Sequence, residues 1–315
     1  MKKRAMFNVL LATVMLVGTA VSQTANEPSK TQPVPPVVQA PLVGHSPRML
    51  IVVAHPDDES CFAATVYQIT HNLGGTVEQL VITNGEGGYR YSLLAEPYYG
   101  VKLTDEAVGR AELPDIRKQE LLNSGRIMGV SRHYFLDEPD KQFTQDVDEV
   151  LTQHWKDGAV EPAVLRRLED GHYDFVLTLF PTQDTHGAHK AATLTAISAV
   201  QKMKAEHPVV LGCQTSSSQQ QTQPDWAGYK SPAHPFTVGT GRYTLDRTTK
   251  FGFRNGLDYS IIVNWVIAEH KSQGAFQMGM GKFDREHFVV LESGTKGAEG
   301  KTSQLFKLLA EHLPK

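Results

Sequence analysis

The 315-residue chain has few cysteines, no excess of base and no apolar run of membrane-spanning length near its start. Two cysteines, Cys61 and Cys213, exclude a small fold stapled by several disulfides. Basic and acidic residues number 31 and 34, a formal charge of −3, which argues against a strongly basic nucleic-acid binder. The apolar run from Val9 to Val17 is shorter than the roughly 20 residues a spanning helix needs. No Gly-x-Ser-x-Gly elbow is present, which disfavours a serine hydrolase. No phosphate-cradling loop ending in Lys-Ser/Thr is present either, and there is no internal repeat. Against these absences stand 40% hydrophobic residues, enough for the core of one large domain and too many for a disordered chain.

Lys2, Lys3 and Arg4 precede the apolar run, and small residues around Ala20 and Ser22 follow it. This is the pattern of a secretory signal peptide over residues 1–22, with an uncleaved anchor as the alternative. The chain is therefore expected to be exported, periplasmic or extracellular, without a stable membrane span after cleavage. No cysteine follows the run, which argues against a lipoprotein anchor. Cleavage would leave 28 basic against 34 acidic residues, a charge of −6. Residues 23–47 carry Pro33, Pro35, Pro36, Pro41 and Pro47 among polar residues and read as an extended linker. The folded unit is expected to span 48–315. It holds both cysteines, which an oxidising compartment would allow to pair and which equally suit two buried thiols.

Short apolar runs at 49–54, 77–83, 133–136, 174–180 and 209–213 read as strands. Between them, 59–73, 116–128, 161–170 and 188–205 read as helices. This alternation predicts a single Rossmann-like α/β domain, a mostly parallel sheet with helices on both faces. Two long loop insertions, 84–115 and 214–250, interrupt it. The run Ser216–Gln221 is expected to lie in a surface loop.

Ligands in such sheets bind at the carboxyl ends of the strands. Two polar clusters fall there: His55-Pro56-Asp57-Asp58-Glu59 after the first strand, and Asp184-Thr185-His186-Gly187-Ala188-His189 after the fourth. Two histidines and a carboxylate suit a catalytic zinc site with one open position, and a second carboxylate suits a base. Taken singly, the paired acids also suit a helix N-cap, and His-x-x-His a solvated turn.

The string Ala54-His55-Pro56-Asp57-Asp58-Glu59 resembles the signature of the PIG-L/LmbE-like zinc-dependent N-deacetylases. Similarity continues at Thr83–Gly88, Arg117–Leu121, Leu136-Asp137, His186–His189 and Ala268–Gln273, so it covers about residues 48–275. The resemblance implies His55, Asp58 and His189 as ligands of Zn2+, with Fe2+ as the other candidate. It implies Asp57 as general base and His186, expected to stay protonated, as oxyanion stabiliser or acid. Arg117, Tyr89 and Arg90 are candidate substrate contacts. Asp184, Asp137 and His270 are candidates to orient the ligands from behind. The sequence departs from the family's second motif at Gly187 and Ala188, and the 214–250 insertion has no counterpart in the resemblance.

The reaction so implied is hydrolysis of an N-acetyl group on an amino sugar or glycoconjugate by a metal-activated water, releasing acetate. The expected partner is a small-molecule or glycan substrate, with no nucleic acid. A catalytically silent carbohydrate-binding protein on the same fold is the alternative, and a base beside an intact ligand set speaks against it. A two-metal phosphoesterase would bring more bridging carboxylates.

Overall fold

The computed structural model describes residues 45–155, 158–220 and 224–314. The expected leader, most of the linker and the end of the Ser/Gln run therefore lie outside the described residues. Five strands, β1 (Arg48–Val53), β2 (Thr76–Thr83), β3 (Arg132–Glu138), β4 (Phe175–Leu179) and β5 (Val209–Ser216), are parallel. Next in the chain come β6 (Tyr243–Asp246), a two-residue hairpin of β7 (Lys250–Phe251) and β8 (Leu257–Asp258), and β9 (Arg285–Leu291). The main sheet runs β3-β2-β1-β4-β5-β9-β6, with β9 antiparallel to both of its neighbours. The order reverses between β1 and β4, and that reversal is the crevice where open α/β sheets bind ligands.

β1 is buried along Met49–Val53 because its alternate side chains enter different cores. Met49, Ile51 and Val53 pack with α1 (Ala63–His71) on one face, and Leu50 and Val52 with the helices of the other. The chain then adds α2 (Glu96–Tyr99), α3 (Glu106–Met128), α4 (Val147–Glu149), α5 (Val160–Gly171), α6 (Gly187–Lys202), α7 (Ser260–Glu269), α8 (Gly274–Gln277) and α9 (Ala298–Glu311). Residues of α3, α7 and α9 join α1 on the first face, and α5 and α6 cover the second. Each fully buried aliphatic side chain contributes about 1.5–3 kcal/mol. Among the described residues no helix is long and apolar enough to cross a membrane.

The structure corrects several boundaries. The expected helix at 59–73 opens as a 3-10 turn, Asp58–Phe62, before α1 begins. Much of the expected 84–115 loop is helical: 3-10 turns at Glu86–Tyr91 and Leu93–Ala95 lead into α2, and α3 starts at Glu106, where the Asp105 carboxylate accepts from Val108 N at 3.1 Å. Its first turns carry Gly109 and Pro114, which read as breakers in sequence. Glycine is needed at 109, since a Cβ there would lie 2.3 Å from the Leu103 carbonyl oxygen. The expected 214–250 loop contains β6, and β5 runs on to Ser216. β6 to β9 are strands the sequence reading did not mark; the Phe288–Leu291 stretch of β9 is buried between β5 and β6.

Candidate active site

The loop after β1 turns back on itself. Asp58 Oδ2 accepts from the backbone N–H of Ala54 (3.1 Å) and of His55 (2.8 Å). Asp57 makes no side-chain cap bond, so the paired acids do not serve as an N-cap here. Asp58 Oδ1 lies 3.1 Å from His189 Nε2, which is 3.0 Å from His55 Nδ1. His55 Nδ1 in turn lies 3.7 Å from Asp58 Oδ2. The donor atoms of His55, His186 and His189 also fall within 4.8 Å of one another, so two trios share His55 and His189. The Asp58 trio is tighter and has its carboxylate pinned by backbone amides.

These groups line a cavity of about 490 Å³, walled also by Tyr89, Arg90, Asp140 and Phe143. Burial works against a charge on His55, but Asp140 (3.6 Å from Nε2) and Asp58 outweigh it and raise its pKa to about 10. His189 and His55 overcome the burial of Asp58 and hold its carboxyl well below the usual range. A pocket that holds an imidazolium between two carboxylates suits exchange of that proton for a divalent cation. By donor chemistry and spacing, His55, Asp58 and His189 fit such an ion.

Asp57 stands beside this group. Arg117, 2% exposed, donates to Asp57 Oδ2 (2.8 Å), Pro56 O (3.0 Å) and Gly85 O (2.8 Å). Burial raises the Asp57 pKa, and Arg117 only partly offsets it. Beneath lies a buried set: Glu59 Oε1 accepts from Ser124 Oγ and pairs with His270 Nε2, both at 2.6 Å. Tyr89 is buried under the guanidinium groups of Arg90 and Arg110.

Three expectations change. His186 is not held protonated: burial, and then His55 and His189, push its pKa down to about 4. Asp137 does not reach the ligands; it pairs with Lys118 at 2.6 Å from a left-handed position (φ 55°) near the end of β3, where the register with β2 shifts, and Asp140 faces His55 instead. Asp184 is exposed, and Thr185 Oγ1 rather than a carboxylate meets His189 Nδ1, at 3.0 Å. The Cys61 and Cys213 sulfurs are free thiols 3.6 Å apart.

Fold and site together define a Rossmann-like α/β protein with an imidazole–carboxylate centre at its topological switch point. Residues 50–200 match the family model described as PIG-L: GlcNAc-PI de-N-acetylase, and this stretch is a PIG-L family domain. The chain is 25% identical over 158 residues to the probable N-acetyl-alpha-D-glucosaminyl L-malate deacetylase 2 of Bacillus subtilis (strain 168). That match takes in 50% of this chain and 62% of the relative's length. A deacetylase of the teicoplanin biosynthesis pathway shares the fold, with TM-score 0.51 and 16% identity, over 79% of this chain and 100% of that one. So does the 4-carboxy-2-hydroxymuconate hydratase of Pseudomonas putida KT2440, with TM-score 0.50 and 14% identity, over 78% and 95%. One fold thus carries two named activities, and the fold alone does not choose between them.

Proposed function

We propose that this chain is an exported metal-dependent N-deacetylase that removes the acetyl group of an N-acetylated amino sugar or glycoconjugate. The observation that carries this reading is the convergence of His55, Asp58 and His189 beside a half-buried Asp57, within a PIG-L domain. The named substrate of the bacillary relative supports the amino-sugar class.

His55, Asp58 and His189 would hold the ion, Zn2+ by donor type and Fe2+ as the second candidate. Such an ion, when bound, polarises the amide carbonyl and lowers the pKa of water. Arg117 occupies Asp57 Oδ2, which leaves Oδ1 to take the proton from the attacking water. The raised pKa of Asp57 brings this carboxylate nearer the pH at which a base works well. Asp57 then passes that proton to the departing nitrogen. A neutral His186 need only donate a hydrogen bond to the oxygen that gains charge. Arg117, whose two terminal nitrogens bind Asp57, Pro56 and Gly85, positions the base, and sugar contacts fall to Tyr89 and Arg90 on the cavity wall.

The test is acetate release from a panel of N-acetylated sugars, with Zn2+ or Fe2+ supplied and with a chelator added. Metal-dependent release that Asp57→Asn abolishes is the expected result. Asp57→Asn with its metal and full turnover would reject the base assignment. Sugar binding without release on every substrate, metal bound, would favour the silent binder.

A further inference from the structure

Phe143 is 69% exposed, yet its ring lies parallel to that of His186, with centroids 5.0 Å apart and planes 9° apart. His186 in turn lies against His55, at 5.1 Å and 16°. The three rings form one column from solvent to the cavity floor. Burial does not explain an aromatic ring left this open to water.

Backbone contacts build the column from both sides. Thr144 O accepts from Gly187 N at 2.7 Å, and Gln145 Nε2 donates to Asp184 O at 3.0 Å. A Cβ on Gly187 would lie 2.8 Å from Asp146 O and 3.1 Å from Thr144 O. Glycine at 187, where the sequence departs from the family motif, is therefore what admits the 144–146 segment. That segment carries Phe143 over His186. His186 Nε2 is buried with no hydrogen-bond partner among the described residues, so packing must fix the ring at that end.

We propose that Phe143 is a positioning residue for His186, its ring holding the plane of the imidazole fixed in the site. The catalytic part of this inference rests on the role proposed above for His186; the stack itself does not. An offset-stacked ring pair of this spacing corresponds to about a tenfold effect when lost.

The test uses the full chain labelled with 13C-histidine, the His186 ring signals being identified by their loss in His186→Gln. Phe143→Ala is expected to move those signals and to lower kcat about tenfold, with KM changed less than about twofold. Phe143→Tyr restores both readouts. Phe143→Leu, which keeps apolar bulk without a flat face, behaves like alanine. Gly187→Ala moves the same signals with Phe143 still present. Unmoved His186 signals in Phe143→Ala, or an effect confined to KM, overturn the proposal. If the wild type releases acetate from no probe, the deacetylase reading fails, and the ring signals alone uphold or overturn the stack.

Discussion

The two polar clusters that meet at the switch point are supported in different ways. The first, His55–Glu59, rests on buried bonds. Asp58 accepts from two amides, Arg117 ties Asp57 to Gly85, and Glu59 meets Ser124 and His270. Arg247, 2% exposed, adds bonds to Ser60 O and Cys61 O and pairs with Glu286, which caps the start of α1. The second cluster, Asp184–His189, is held by peripheral loops. Gly187 N donates to Thr144 O and Gln145 Nε2 to Asp184 O, while at its flank Tyr229 N donates to Pro181 O. The difference teaches that one half of the site is built into the core. The other half is held by surface loops.

Breaking the first cluster should cost most. Asp57→Asn is expected to cut turnover about 10²–10⁴-fold in acetate-release assays while its circular dichroism stays that of the wild type. Arg117→Met strands a buried carboxylate and should lose about 3–5 kcal/mol in urea unfolding. A loss under about 1 kcal/mol would mean that the two clusters are supported alike.

The polar layer behind the first cluster sets a smaller, pH-dependent effect. Burial lowers the His133 pKa below its usual value, partly offset by Glu59. Above about pH 6.5 both folded and unfolded forms are neutral, and the residue adds no pH dependence. As pH falls below that, the unfolded chain takes the proton first and stability drops. His133→Asn should therefore flatten the stability loss between pH 7.5 and 5.5; an unchanged slope would assign that loss to other groups. The smallest effect is expected in the loops outside the second cluster. His234→Ala removes a pair whose Asp148 side chain is 62% exposed, and should cost less than about 1 kcal/mol in a thermal melt.

The same contrast explains what could be read from sequence. The first cluster is contiguous and follows an all-apolar run, so its strand, its turn and its ligands were legible together. β1 and β4 were legible because nearly every residue is buried and apolar; β2 carries Glu78 and Gln79, and the edge strand β3 is charged and half-buried, so those two were read from their apolar stretches. Asp140, Thr185 and Phe143 were not legible. Asp140 and Phe143 sit in a loop without periodicity that only its tertiary path brings to His55 and His186, and the Thr185 contact with His189 depends on the turn that opens α6. Asp137 is three residues from the carboxylate that faces His55, and no local pattern separates the two. The start of α3 was hidden by Gly109, which its close approach to Leu103 requires, and by Pro114, inside the helix. β9 lies antiparallel in an otherwise parallel run, a placement decided by its neighbours β5 and β6.

The bonds of Asp58 to two amides, and of His189 to Thr185, are made by protein atoms alone. Ligands held by bonds of this kind take their rotamers from the protein itself, unlike those of small domains whose collapse is driven by metal. Stripped and resupplied protein should then recover its turnover without passing through an unfolded stage.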